Sequence, residues 1–252
     1  MAKVHVVFRK EDIDETALEN GKVAVVFDIL LATSTITAAL SFGAASVIPV
    51  RSAQEAKEQA NLLPKGSYEL VGEYEGRIID GFHHPAPLFL KTFCLGKTII
   101  LSTTNGTVAI RKAMHANHLY VGSLLNGPAL SEHICRRHAS ETIVAICSGS
   151  SGRFCLEDFY GVGYFISCLL QCGVSTRDLS DSAMAAWLFY EKYKTENAGK
   201  TVLASSRVGR WMIAHGLESD IDYINQQGVL SVIPFFQKTA SGGEIHDAAR
   251  RS

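Results

Sequence analysis

The sequence predicts a three-layer α/β/α fold with a largely parallel or mixed sheet, and three observations predict it. Short apolar segments rich in β-branched residues recur at residues 23–27, 97–101 and 141–147. Each runs into a polar loop rich in Gly, Ser, Thr or Asn. After each loop, apolar residues resume at helical spacing. Strands buried on both faces read as continuous apolar runs, and repeated strand–loop–helix units place a parallel sheet between helix layers.

Residues 4–8 alternate loosely and open the sheet, with the charged segment 9–15 as their connection. Residues 22–40 read KVAVVFDILLATSTITAAL and organise the rest of the chain. A buried strand ends at Asp28, Ile36, Ala39 and Leu40 repeat at helical spacing, and Gly43 stands where a helix C-terminus favours a residue without Cβ. Residues 46–50 give the next strand. Residues 52–63 form a helix, with Ser52 as N-cap and Glu55 at the capping-box position. Residues 68–71 are extended, and 73–89 are an irregular polar loop. The second unit runs through a strand at 97–101, a helix at 108–115 and a strand at 119–121, followed by a helix at 129–138. The third has its strand at 141–147 and its helix at 156–170. Met184, Trp187 and Leu188 mark a further helix; Val208, Trp211 and Met212 mark another, ending near Gly216. Residues 228–236 read as a last strand, placed at an edge because Pro234 cannot donate to a ladder. Without a low-complexity linker, residues 1–239 are expected to be a single α/β domain (or two intertwined lobes), with 240–252 a mobile tail.

The 252 residues are 47% apolar and 19% charged, with a formal net charge of −1. Near-neutrality argues against nucleic acid or an anionic membrane as partner. No apolar run approaches the ~20 residues that cross a bilayer. The first residues lack the apolar core of an export signal, so the cytoplasm is the expected compartment. Cys94, Cys135, Cys147, Cys155, Cys168 and Cys172 contain no C-x-x-C pair and read as reduced residues rather than a disulfide framework or zinc site.

The three loops share one chemistry. Ser34 and Thr35 follow Asp28; Thr103, Thr104, Asn105, Gly106 and Thr107 follow the second strand; Ser148, Gly149, Gly152 and Arg153 follow the third. Small residues let backbone N–H groups approach an anion, and hydroxyl and amide side chains add donors. At one rim of one sheet they would form an anion-binding cleft. Neither a Walker A sequence nor G-x-G-x-x-G occurs, which weighs against a nucleotide or dinucleotide ligand. Acidic residues converge on the same loops: Asp28, Glu73, Asp80, Glu157 and Asp158. Carboxylates beside an anion repel it unless a hard cation stands between, and Mg²⁺ suits carboxylate plus phosphate oxygens. The bland alternatives are that Asp28 is a capping carboxylate and that Glu157 and Asp158 complement a helix N-terminus. His83 and His84 read as loop histidines, and Arg153, Arg207 and Arg210 are candidates to clamp an anion.

These motifs together resemble the 2-phosphosulfolactate phosphatases, magnesium-dependent hydrolases of sulfolactate and coenzyme M metabolism. The resemblance rests on DILLATSTITAAL (28–40) with GAASVIPV (43–50), GEYEGRIIDGF (72–82) and STTNGTVAI (102–110). It continues through GSLLN (122–126), CSGSSGRFCLEDFYGVG (147–163) and GRWMIAHGLESD (209–220). It implies an α/β fold in three layers and hydrolysis of (2R)-2-phospho-3-sulfolactate to 3-sulfolactate and phosphate. On the matching positions, Asp28, Glu157 and Asp158 would be catalytic and bind metal, with Glu73 a further ligand. The Ser34–Thr35, 103–107 and 148–153 segments would bind substrate. Leu31 and Val108 stand where the family usually has Arg, and His83-His84-Pro85-Ala86-Pro87 replaces a segment that commonly carries Asp and Gly-Asn-Ser-Pro. Arg111, Arg153 and the two histidines are the candidates to replace the lost guanidiniums. The alternatives are a non-catalytic anion-binding protein on the same scaffold and a phosphatase for another small phosphorylated hydroxy acid. A homo-oligomer is compatible with each.

Overall fold

The computed structural model describes residues 3–240 and 242–251. In chain order the strands are β1 (Val4–Val7), β2 (Lys22–Phe27), β3 (Ser46–Val50), β4 (Tyr68–Tyr74), β5 (Arg77–Ile78), β6 (Thr98–Ser102), β7 (His118–Gly122), β8 (Thr142–Cys147), β9 (Pro234–Gln237) and β10 (Glu244–Asp247). The α-helices are α1 (Ala32–Ser41), α2 (Ala53–Ala60), α3 (Pro87–Leu90), α4 (Gly106–Ala113), α5 (Gly127–Arg137), α6 (Leu156–Gln171), α7 (Asp181–Tyr193), α8 (Glu196–Ser205), α9 (Arg207–Ala214) and α10 (Glu218–Ile224). No helix among the described residues is long and apolar enough to cross a membrane.

The strands make one mixed sheet in the order β1-β8-β2-β7-β9-β10-β3-β6-β4-β5. Strands β1, β8, β2 and β7 are mutually parallel, as are β3, β6 and β4. Three successive antiparallel joints, β7–β9, β9–β10 and β10–β3, separate these halves, so they run in opposite directions. The β7–β9 and β10–β3 joints consist of one residue pair each, Tyr120 with Phe235 and Ile245 with Val47. Sheet twist of about 20–25° per step, taken over the path from β2 to β6, turns the halves by roughly 100° or more. The narrow joints leave room for further bending.

β2 is apolar throughout because both its faces are covered. Val23, Val25 and Phe27 share a core with Leu130 and Ile134 of α5 and Phe165 of α6. Ala24 and Val26 alternate to the other face, against Ile36 of α1 and Ile110 of α4. Each large side chain buried this way contributes about 1.5–3 kcal/mol. A third cluster packs Ile48, Val50 and Ile100 against Ala56 and Ala60 of α2. Helices α5 and α6 on one side of β2 and α1 and α4 on the other, with the sheet between, are the three expected layers. Ser52 caps α2, accepting from the Glu55 N–H at 3.2 Å, while Glu55 accepts from the Arg51 N–H at 2.8 Å. All six cysteines are free, and four of them, Cys94, Cys147, Cys155 and Cys168, are buried.

Three expectations are corrected. Residues 228–236 are not an edge strand. β9 lies inside the sheet, where Pro234 is tolerated as its first residue. The tail expected from 240 instead supplies β10, four residues paired with β9 and joined to β3; of that tail, residues 241 and 252 lie outside the described residues. The loop expected at 73–89 is partly regular. β4 continues to Tyr74 and turns back into β5 through Glu75 and Gly76, whose φ values of 49° and 78° suit a two-residue hairpin turn.

Candidate active site

β2 delivers Asp28 to the C-terminal rim of the first half-sheet, where it is only 8% exposed. It is not the capping carboxylate of α1: its backbone carbonyl accepts from the Thr33 N–H and hydroxyl at 3.0 and 2.9 Å. The backbone N–H of Gly106, the first residue of α4, lies beside the Asp28 carboxylate and favours its charged form. That contact needs glycine, because a Cβ at 106 would lie 2.4 Å from the Ala32 Cβ and 2.6 Å from Asp28 Oδ2. The loop after β6, from the oppositely directed half-sheet, thereby packs directly on the loop after β2.

Glu73, at the end of β4, anchors the same place. It accepts from Thr104 N–H at 2.7 Å, Thr104 hydroxyl at 3.0 Å and Gly76 N–H at 2.8 Å. From the third loop, α6 presents Glu157 and Asp158 in its first turn, each only 2% exposed. Asp158 accepts the Ile29 N–H at 2.9 Å on Oδ1 and the Gly149 N–H at 3.0 Å on Oδ2, tying the first and third loops together. Cys155, Ser206 and Arg207 lie near Glu157 and favour its charged form.

These carboxylates line one cleft of about 490 Å³ with Thr103, Thr104, Asn105 and Gly149. Leu31, Ile78, Val208 and Trp211 form an apolar wall. Burial, reinforced by Glu73 and Glu157, pushes the Asp28 carboxyl up to about 7. Burial, then Asp28 and Glu157, holds Asp158 well above the usual carboxylate range, and burial also raises Glu157. Among the described residues, Lys10 acts on Asp28 and Arg207 on Glu157, and Lys10 is also paired with Glu11 at 2.9 Å. Lys10 is buried and donates to Asn105 Oδ1 at 2.9 Å; Arg207 donates to the Ser150 carbonyl at 2.8 Å. The four carboxylates offer oxygen donors, the kind a hard divalent cation takes, with the His84 imidazole and the Cys155 thiol also in the lining.

Of the expected site residues, Asp28, Glu73, Glu157, Asp158, Thr103, Thr104, Asn105 and Gly149 meet at this cleft, with Gly106 against Asp28. The others are placed elsewhere. Ser34 and Thr35 are buried in α1, their hydroxyls donating to the carbonyls of Ile29 at 2.8 Å and Leu31 at 3.0 Å. Thr107 turns its hydroxyl back to the Thr103 carbonyl at 2.9 Å. Ser148 is buried behind the rim, and its hydroxyl has no hydrogen-bond partner among the described residues. Gly152 and the exposed Arg153 lie outside the cleft. Nor do the other candidate replacements for the lost guanidiniums reach it, except one. Arg111 pairs with Glu55 at 3.2 Å and His83 with Glu69 at 3.2 Å, while His84 lines the cleft.

Lys10 is the residue sequence reasoning missed. Its signal is position: it follows β1, a strand parallel to β2 through β8, so it emerges at the same rim. Trp211, in sequence only a helix marker, has its ring against Gly76, whose added Cβ would sit 3.0 Å from it.

Fold and site together define a three-layer α/β protein with a carboxylate-rich, anion-sized cleft between two half-sheets. A family model described as 2-phosphosulpholactate phosphatase matches residues 7–239. Proteins named probable 2-phosphosulfolactate phosphatase are similar over most of their lengths. The one from Clostridium beijerinckii is 31% identical, covering 93% of this chain and 97% of its own. The one from Clostridium perfringens strain SM101 is 35% identical over 96% and 95%, and that from Thermotoga maritima 35% over 84% and 88%. The chain belongs to the 2-phosphosulfolactate phosphatase family, a family of phosphoric monoester hydrolases.

Proposed function

We propose that this chain is a Mg²⁺-dependent phosphatase that hydrolyses 2-phospho-3-sulfolactate to 3-sulfolactate and phosphate. The observation that carries the reading is the convergence of the buried Asp28 and Glu157 with the half-buried Glu73 beside the Thr103–Asn105 and Gly149 loops. A cleft lined by Asp28, Glu73, Glu157 and Asp158 is one that a divalent cation and a phosphoryl group would complete. Asp28 and Glu157 would hold the cation, with Glu73 as a further oxygen ligand. When bound, Mg²⁺ would polarise the phosphoryl oxygen and offset the negative charge of the ester.

The chain's own groups do the rest. Asp158 uses both oxygens on backbone N–H groups, so its role is to position the first and third loops against each other. Asn105, whose side-chain oxygen accepts from Lys10, has its amide N–H groups to orient the phosphate. Arg207, at the start of α9, is the guanidinium available to a second anionic group of the substrate, in place of the arginines absent at 31 and 108. Asp28 takes part in the displacement itself, either accepting the proton of the attacking water or attacking phosphorus. The test is phosphate release from 2-phosphosulfolactate and from a panel of phosphorylated hydroxy acids, with Mg²⁺ and with chelator. Fastest chelator-sensitive turnover of 2-phosphosulfolactate is expected. Preference for another ester would change the substrate assignment, and no turnover of any ester would leave an anion-binding protein.

A further inference from the structure

A second group of metal-ligating side chains lies at the opposite end of the first half-sheet and takes no part in the cleft. His118 opens β7, Glu141 stands just before β8, and His138 caps the C-terminus of α5. Both strands flank β2, whose other end carries Asp28. His118 pairs in register with Val23, a residue of the core that α5 and α6 cover, so its side chain shares that face with the end of α5. Lys22, one residue earlier on β2, is directed to the other face by strand alternation.

The donor atoms converge. His138 Nδ1 is 2.7 Å and His118 Nε2 3.5 Å from the same Glu141 oxygen, and all three ligand atoms lie within 4.8 Å of one another. Ligands at 2.0–2.2 Å from a tetrahedral zinc ion are about 3.4 Å apart. The His118–Glu141 spacing already matches, and the His138–Glu141 hydrogen bond needs to open by only about 0.7 Å. His118 is 36% exposed and His138 7%, so the group has a buried wall and an open side. Behind it, His138 Nε2 is 2.9 Å from the Tyr120 hydroxyl, which is 3.1 Å from His133 Nε2. A metal on Nδ1 requires the proton on Nε2. That N–H then donates to Tyr120, whose hydroxyl donates to His133, a directed chain of the kind that fixes a ligating histidine's tautomer. Arg137 acts on the Tyr120–His133 side of this chain, whereas the charges acting on His118 are those of His138 and Glu141.

We propose that His118, His138 and Glu141 form a metal site, distinct from the active-site cleft, that binds a zinc-type dication through two imidazole nitrogens and one carboxylate oxygen. That donor set favours zinc, nickel or copper over magnesium, which prefers all-oxygen surroundings. The proposal does not depend on the phosphatase reading. It is tested on the full chain by Zn²⁺ titration against a chromophoric chelator, with saturating Mg²⁺ present to occupy the carboxylate cleft. One Zn²⁺ per chain is expected. His118→Ala and Glu141→Gln should each weaken it by more than about 10-fold, and Tyr120→Phe by about 10-fold. Zn²⁺ should raise the Tm of the wild type and leave that of the two ligand variants unchanged. Melting without zinc shows whether each variant is folded, and the half-buried His118→Ala serves if Glu141→Gln is not. Zinc affinity equal in wild type and both ligand variants, no zinc uptake, or uptake abolished by Asp28→Asn instead would each overturn the proposal.

Discussion

Asp28→Asn separates the chemistry of the cleft from its stability, because the two readouts should move in opposite directions. In the metal-free protein, burial and two neighbouring carboxylates carry the Asp28 pKa from its ordinary 3.8 to about 7. Ionising it in the fold at pH 8 therefore costs about 4 kcal/mol relative to the unfolded chain. Proton counting gives the sign. Between pH 3.8 and about 7 the folded state holds the proton more tightly than the unfolded one, so stability falls as pH rises through that window. Asparagine has no charge to bury and keeps an oxygen facing Gly106. Glu73 and Glu157 share the repulsion, so roughly half, about 2 kcal/mol, is expected as a gain in stability at pH 8. For a chain of this size that is a Tm increase of about 4–8 °C. The assay is thermal melting in chelator at a series of pH values. The variant's advantage should be small near pH 4 and full by pH 8, while its kcat with Mg²⁺ falls by about 100-fold or more. An Asp28→Asn protein that melts at or below the wild type at pH 8 without metal would refute the charge crowding at the centre of the cleft.

Gly106→Ala places a methyl between Ala32 and Asp28 and should cost about 1–3 kcal/mol by overpacking, with kcat reduced because Asp28 is displaced; melting and steady-state kinetics check both. Ser34→Ala tests the correction that this hydroxyl serves α1: stability should fall by about 1 kcal/mol while KM stays within about 2-fold, and a large rise in KM would return Ser34 to the substrate site. Arg207→Ala should raise KM for a doubly anionic ester by about 10-fold or more and affect a singly anionic one less, read from kinetics on the two esters.

Much of the site is legible in the chain because its parts are local. An apolar run ending in Asp28, a Thr-Asn-Gly loop and a helix opening on Glu157-Asp158 each announce a strand end facing a helix start. What sequence does not supply is direction. The pairing of residues 234–237 and 244–247 with strands more than a hundred residues earlier reverses the second half-sheet, and no local pattern encodes a tertiary pairing of that kind. The loops are expected at one rim, yet Asn105 arrives from a strand running opposite to β2 and meets Asp28 through the close approach at Gly106. Composition also does not show that Ser34 and Thr35 lie buried in α1 and outside the cleft. A hydroxyl in the first turns of a buried helix is satisfied by nearby carbonyls, and residue type alone does not separate that fate from a phosphate contact. Lys10 escapes notice for the converse reason, since a charged segment reads as solvated until a partner such as Asn105 is placed beside it.

Carboxylates from distant loops sharing one cation at the cleft is the claim on which the proposed chemistry stands. A crystal structure with Mn²⁺ in place of Mg²⁺ and phosphate as product, with the metal located by its anomalous scattering, tests it most directly. The predicted result is a metal peak about 2.1 Å from oxygens of Asp28 and Glu157, with phosphate between it and the Thr103–Asn105 loop. No peak at the cleft under saturating Mn²⁺, or one bound without either carboxylate, would contradict it.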